Sequence, residues 1–171
     1  MNTRILVILS LLLGIGAVLH FVMPPIYGVT PDMMLSMMFI GIMLFPKLKY
    51  VGVLAIATGL LSALTTNAPG GQIANFIEKP ITAFIFFALF LLIKDKVNFK
   101  IGVPVLTAVG TMISGAIFLT LALYVVGLMD GVFLLFFTTA VLPAAGLNTV
   151  LMIIIYPVVL QILKRSKPIT V

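Results

Sequence analysis

Residues 65–80 read TTNAPGGQIANFIEKP, and the reading of this stretch decides the fold. Almost everything on either side is apolar. Here two Thr, two Asn, a Gln, a Gly pair and an adjacent Glu and Lys stand together. Gly70 and Gly71 admit turn conformations closed to other residues, Pro69 fixes one side of that turn, and Pro80 suits the first position of a following helix. Two readings compete, an ordinary polar loop outside a membrane and the lining of a site. Aliphatic residues interleave the polar ones, Ser and Asp are absent, and the flanking apolar segments are short. These features favour a site, because irregular backbone at membrane depth is tolerated only where it lines a cavity or is buried in protein.

Working outward, the composition sets the class. Hydrophobic residues make up 63% of the 171, charged ones 8%, and mean hydropathy is +1.35. A chain of this size cannot hide so much apolar surface in water, so an all-α integral membrane protein is expected, with residues 1–171 as a single transmembrane domain. The net charge of +6 comes from short basic clusters between apolar runs, a topological pattern rather than a nucleic-acid footprint. The absence of cysteine removes disulfides and thiol chemistry.

Six segments follow in order. The first covers about residues 4–23 and is no cleavable signal, since Met23-Pro24-Pro25 follows it. Asp32 is placed to cap the second, residues 33–45, which carries Met33, Met34, Met37, Met38 and Met43. The third spans residues 51–64 and the fourth residues 81–93. The fifth spans about residues 103–128, before a tight turn at Met129-Asp130-Gly131. The sixth runs from Val132 to about Leu163, interrupted by Pro143 and Pro157. Alternating these segments puts Arg4, Lys47, Lys49, Lys94, Lys96, Lys100, Lys164, Arg165 and Lys167 on one side and only Lys79 on the other. That asymmetry predicts six transmembrane helices with both termini cytoplasmic (N-in/C-in) and a kinked but continuous sixth segment.

Segments two to four, at thirteen or fourteen residues, give about 20 Å of helix at 1.5 Å per residue, against about 30 Å of hydrocarbon. Their inner ends are anchored by basic residues, so the shortfall falls outside. The loops 24–31 and 66–79 are therefore expected to dip inward and line a pocket in the outer half.

Enzyme chemistry is poorly supplied. One His, no Cys and four acids spread over four loops make no metal cluster, nucleophile elbow or phosphate loop. No catalytic residue, cofactor or metal is expected, and if the chain drives uphill transport the energy must come from another subunit or an ion gradient. His20 serves either as a proton-coupling or substrate group or as an interhelical hydrogen-bond partner. The methionines, Met33 and Met37 among them, serve as adaptable packing or as sulfur contacts to an aromatic ligand. Asn148, just past Pro143, is either a substrate contact or a structural interhelical bond. Ser10 and Gly14, four apart on one helix face, serve close packing within the bundle or a partner subunit.

The blocks LLLGIGAVLHFVMPP, TPDMMLSMMFIGIMLFP and ATGLLSALTTNAPGGQIANFIEKPITAF, with the break at Pro143, resemble the bacillar tryptophan transporter family TrpP over essentially the whole chain. That family is similar to the substrate-binding S-components of energy-coupling factor (ECF) transporters. The resemblance implies an ECF S-component-like bundle in the cell membrane. It implies tryptophan as substrate, an outward pocket closed by the helix 1–2 and 3–4 loops, and Ser10 and Gly14 docking an ECF coupling subunit that works with an ATPase pair. The chain has no Trp at all, which fits an importer made under tryptophan starvation. A tryptophan zwitterion needs partners for a carboxylate, an ammonium and an indole. Lys79 is expected to pair with the carboxylate and Glu78 with the ammonium, while Gln72, Asn75 and the Gly71 backbone complete the hydrogen bonds. The rival reading has Glu78 capping segment four and Lys79 snorkelling to the headgroups. Uptake of another small aromatic or vitamin-like solute, or a ligand-free membrane assembly factor, are the alternative functions. Polar residues gathered in loops on one side favour a ligand.

Overall fold

A computed structural model describes residues 1–26, 28–66, 68, 70–127 and 130–165. Among these residues the chain is all-helical and forms six helices: α1 (Thr3–Val22), α2 (Met33–Leu44), α3 (Leu48–Thr65), α4 (Gly71–Ile93), α5 (Phe99–Thr120) and α6 (Phe133–Arg165). α5 continues through a π-helical turn, Leu121–Val126, and α6 contains another at Phe137–Val141. Five of the six are long and apolar enough to cross a membrane, and α2 is not.

α2 organises the bundle. Every residue from Met33 to Met43 is buried, as expected for a helix that is apolar all round. α1, α3, α4, α5 and α6 all touch it. Close approach depends on glycines where a β-carbon has no room. At Gly41 a β-carbon would stand 2.8 Å from Leu54 of α3, and at Gly16 of α1 it would stand 3.0 Å from Met37. At Gly110 of α5 it would meet Phe39 and Phe86, whose rings stack at 3.8 Å across α2 and α4. The methionines fill this centre: Met33, Met34, Met37 and Met38 are at most 2% exposed, an irregular interior that an unbranched, polarisable side chain suits.

The polar stretch differs from its sequence reading. Residues 71–79 are helical rather than loop, so α4 starts ten residues before the expected position and Pro80 lies inside it. Gly70, at φ 70°, is its left-handed N-cap. Gln, Glu and Lys are good helix formers, and polar side chains turned into a bundle look in hydropathy like a loop. Pro80 cannot donate to the Phe76 carbonyl. Gly59 of α3 packs there, where a β-carbon would be 3.2 Å from that carbonyl oxygen and 3.3 Å from the Pro80 ring. α3 and α4 are therefore full-length helices of 18 and 23 residues, about 27 and 35 Å. The shortfall falls on α2 alone, whose 12 residues make about 18 Å.

α6 runs through Pro143 as one helix. The π turn immediately before the proline accommodates the ring and the missing donor. Thr138 and Thr139 donate side-chain hydrogen bonds to the Leu134 and Leu135 carbonyls, at 2.9 and 2.7 Å, within that irregular stretch. Tyr27, Asn67, Pro69, Leu128, Met129 and residues 166–171 lie outside the described residues. The expected turns at Pro69 and Met129, and the tail with Lys167, fall among them.

Candidate functional site

Because α2 is short, its N-terminus ends inside the bundle, and a cavity of about 340 Å³ lies above it. The size falls in the usual range of small-molecule sites, about 300–1,000 Å³. It is lined from the C-terminal ends of α1, α3 and α5 and the N-terminal ends of α2, α4 and α6. Arg4, Lys47, Lys49, Lys94, Lys96, Lys100, Lys164 and Arg165 occupy the other ends of these helices or the connections there. The loop before α2 contributes Gly28, Val29 and Thr30 to the lining, as its inward dip requires.

One wall is charged. Asp32 caps α2 through Oδ1, which accepts from the Leu35 N–H at 2.9 Å, while Oδ2 accepts from Lys79 Nζ at 2.6 Å. Lys79 also pairs with Glu78 Oε2 at 3.1 Å. Glu78 is fully buried and does not line the cavity, although Lys79 and Ser114, which both contact Glu78, do. Its Oε1 accepts from Thr82 at 2.8 Å and from Ser114 of α5. The lysine thus has a closed side, Glu78, and an open side, Asp32, whose side chain keeps 26% exposure. Consecutive residues of one helix supply opposite charges in the same cluster, which leaves Asp32 and Glu78 sharing one cation. A buried charge is tolerated only with such partners.

Two more lining groups are buried with no hydrogen-bond partner among the described residues, His20 Nδ1 and Ser62 Oγ. Unmet polar atoms of this kind are uncommon in folded proteins and are available to a ligand. Asn75, Thr66 and Thr111 add polar lining, and Thr111 accepts from Asn148 Nδ2 at 3.3 Å. The rest of the wall is apolar: Gly115, Phe118 and Leu119 of α5, and Phe136, Ala140, Val141 and Ala144 of α6. Gly131 seats the Phe136 ring, since a β-carbon there would stand 2.2 Å from it, and its φ of 153° suits glycine.

Residues 2–164 match the sequence profile of the family described as "Tryptophan transporter TrpP". The chain belongs to this family. Proteins named "Probable tryptophan transport protein" are similar to it in three organisms. The one from Bacillus subtilis (strain 168) is 54% identical over 97% of this chain and 96% of its own length. That from Clostridium acetobutylicum is 42% identical over 91% of each, and that from Clostridium perfringens (strain 13 / Type A) is 36% identical over 96% of each. No solved structure matches significantly.

In this member of the tryptophan transporter family, the structure brings Lys79, Asn75 and His20 together at one cavity. It separates the other expected residues. Glu78 stands behind Lys79. Gln72 is exposed in the first turn of α4 and is not in the lining, and Gly71 packs against Thr66. Met33 and Met37 belong to the core around α2. Asn148 makes the interhelical bond to Thr111 and is not in the lining. Ser10 and Gly14 are exposed on α1, and nothing lies within 4 Å of where a Gly14 β-carbon would be. Sequence reading assigned Asp32 only to capping and overlooked Ser62, Thr111, Ser114, Phe118 and Phe136. A signal for Asp32 existed, because a lysine inside an apolar helix needs a partner, and only three acids besides Glu78 are available.

Proposed function

We propose that this protein takes up tryptophan across the cell membrane, binding it in the cavity above α2. The observation that carries this reading is the cavity itself. A buried lysine ion pair and unmet polar groups form part of its lining, and two phenylalanines with aliphatic neighbours form another part. A zwitterion bearing an indole requires that division. Family membership supports the same substrate. The chain acts by binding and moving the solute rather than transforming it, with residues 1–171 working as one transmembrane domain. Six spans with both termini cytoplasmic would turn the cavity outward, a placement favoured by the basic residues at the opposite end.

The test is thermal melting of the purified protein with tryptophan and other aromatic amino acids. Tryptophan at a hundred times its Kd stabilises a folded protein by about 2.7 kcal/mol. A clear rise in Tm for tryptophan above phenylalanine and tyrosine is expected. A flat response to tryptophan, with a rise for another solute, would reassign the substrate.

Within this reading the protein works as an S-component-like subunit that docks an ECF coupling subunit and its ATPase pair through Ser10 and Gly14. What supports this is their outward position on α1, beside Val7, Leu11, Ile15 and Val18, all at least half exposed. Ser10→Leu and Gly14→Leu are expected to abolish uptake in cells while tryptophan binding in detergent survives. Undiminished uptake would mean that the face carries no coupling partner.

A further inference from the structure

We propose that Asp32 is the ammonium ligand of the transported amino acid, and that the Asp32–Lys79 ion pair opens to admit the zwitterion between its two charges. The inference rests on the amino-acid reading of the cavity and names the partner that reading leaves undefined.

The geometry selects Asp32 over Glu78. Both carboxylates reach Lys79, at 2.6 and 3.1 Å. Glu78 has no exposed surface, and its Oε1 is held by Thr82 and Ser114. An ammonium could reach it only by displacing Lys79 or the Ser114 hydroxyl. Asp32 lies on the open side of the pair and lines the cavity. Its two oxygens have separate tasks. Oδ1 stays on the Leu35 N–H as the α2 cap, and Oδ2 is the atom engaged with Lys79.

In the empty protein each member of the pair therefore stands in for half of a zwitterion. The Lys79 ammonium occupies Asp32 Oδ2 as a substrate ammonium would, and the Asp32 carboxylate occupies Lys79 Nζ as a substrate carboxylate would. When the ligand enters, its carboxylate takes the lysine and its ammonium takes Oδ2. Lys79 keeps Glu78 throughout, so no buried charge is stranded during the exchange, a condition that buried ions demand. The net charge of the cluster is unchanged, since the ligand brings one of each sign. The exchange also predicts selectivity: a ligand with a carboxylate and no ammonium would occupy Lys79 and leave Oδ2 without a cation.

Asp32→Asn is the decisive variant, because Asn caps a helix about as well as Asp and only the charge is removed. Its affinity for tryptophan should fall at least about thirtyfold, the usual consequence of removing a desolvated charged partner. Its affinity for indole-3-propionate, which carries the indole and carboxylate but no ammonium, should rise above that of the wild type, because Lys79 is no longer held by Asp32. A scaffolding role cannot produce these opposite signs. Tryptophan affinity within about threefold of wild type in Asp32→Asn overturns the proposal, as does parallel loss of both ligands. The wild-type protein supplies an arm that needs no variant. It should bind indole-3-propionate at least about thirtyfold more weakly than tryptophan, and equal binding overturns the ammonium contact. Binding of indole-3-propionate but not tryptophan likewise overturns the ammonium contact. If the wild type instead binds another aromatic amino acid but not tryptophan, the substrate reading fails, and the same comparison made with that amino acid decides the role of Asp32.

Discussion

Two parts of the cavity lining hold their side chains by different means. On the α2–α4 side, Asp32, Lys79 and Glu78 are fixed by one another, by a backbone cap and by hydroxyls at 2.6–3.1 Å, on regular helix. On the α5–α6 side, beyond Thr111 and Ser114, the lining is apolar and includes Phe118, Leu119, Phe136, Ala140 and Val141, adjoining the π turns Leu121–Val126 and Phe137–Val141. Charged contacts depend steeply on distance and on desolvation, so their geometry has to be set in advance. Apolar contact is non-directional and tolerates a backbone with local irregularity. The difference assigns discrimination of the ligand's charges to the first side and accommodation of its ring to the second.

The largest expected effect breaks the charged side. Lys79→Met keeps much of the side-chain volume but leaves the buried Glu78 and the partly buried Asp32 without a cation, which should cost about 3–5 kcal/mol of stability and lower Tm markedly. Tryptophan binding should be lost with it. Adding Glu78→Gln removes one of the stranded charges while its amide oxygen still accepts from Thr82 and Ser114, so Tm should recover substantially while binding does not. If binding returns with stability in the double variant, the charged side is scaffolding and the comparison fails.

A smaller effect probes how far the apolar side can yield. Gly115 of α5 and Val141 of α6 both line the cavity, and a β-carbon at Gly115 would be 2.4 Å from a Val141 methyl. Gly115→Ala should force the helices apart at a cost of about 1–3 kcal/mol, seen as a lower Tm. Val141→Ala in the same chain should restore most of it. An unchanged Tm in the single variant would show that the π turn lets α6 move freely at this point.

Much of this arrangement was legible in the sequence. Six helices, the shortness of the second, and an inward-dipping loop over 24–31 follow from apolar run lengths and prolines. The start of α4 was not legible, because Gln72, Asn75, Glu78 and Lys79 on a buried or amphipathic helix lower hydropathy as a loop would. Hydropathy marks where apolar residues stop, and helix geometry marks something else. The main omission at the site has one cause. Asp32 is fully explained by capping when read locally, and its pairing with Lys79, 47 residues away, is a tertiary fact. Phe118 and Phe136 are two of 13 phenylalanines, with no local feature that separates a cavity wall from a lipid-facing surface. The role of Pro143 as an interruption was readable, but a π turn in place of a break depends on how α6 packs against α5.

The smallest expected effect sharpens the apolar side. Phe136 is partly buried, lines the cavity and rests on the Cβ-less Gly131. An indole stacked or edge-on to a phenyl ring gains about 0.5–1.5 kcal/mol beyond burial of area, so Phe136→Leu should weaken tryptophan binding by about two- to twelvefold. Leucine keeps the apolar surface, so a shape-based contact would survive and only the aromatic component would be lost. The fold should be unaffected, since Phe136 stands at the edge of the bundle rather than in the core around α2. Calorimetric titration of tryptophan against wild type and Phe136→Leu measures the difference. Gln72→Ala serves as the reference, because Gln72 is exposed and does not line the cavity, and its loss should change affinity less than threefold. If Phe136→Leu binds tryptophan as Gln72→Ala does, while Phe118→Leu shows the aromatic loss, the ring lies against α5 alone. If neither phenylalanine variant differs from the reference, the indole does not contact this side, and the division between charged and apolar lining does not describe how the ligand sits.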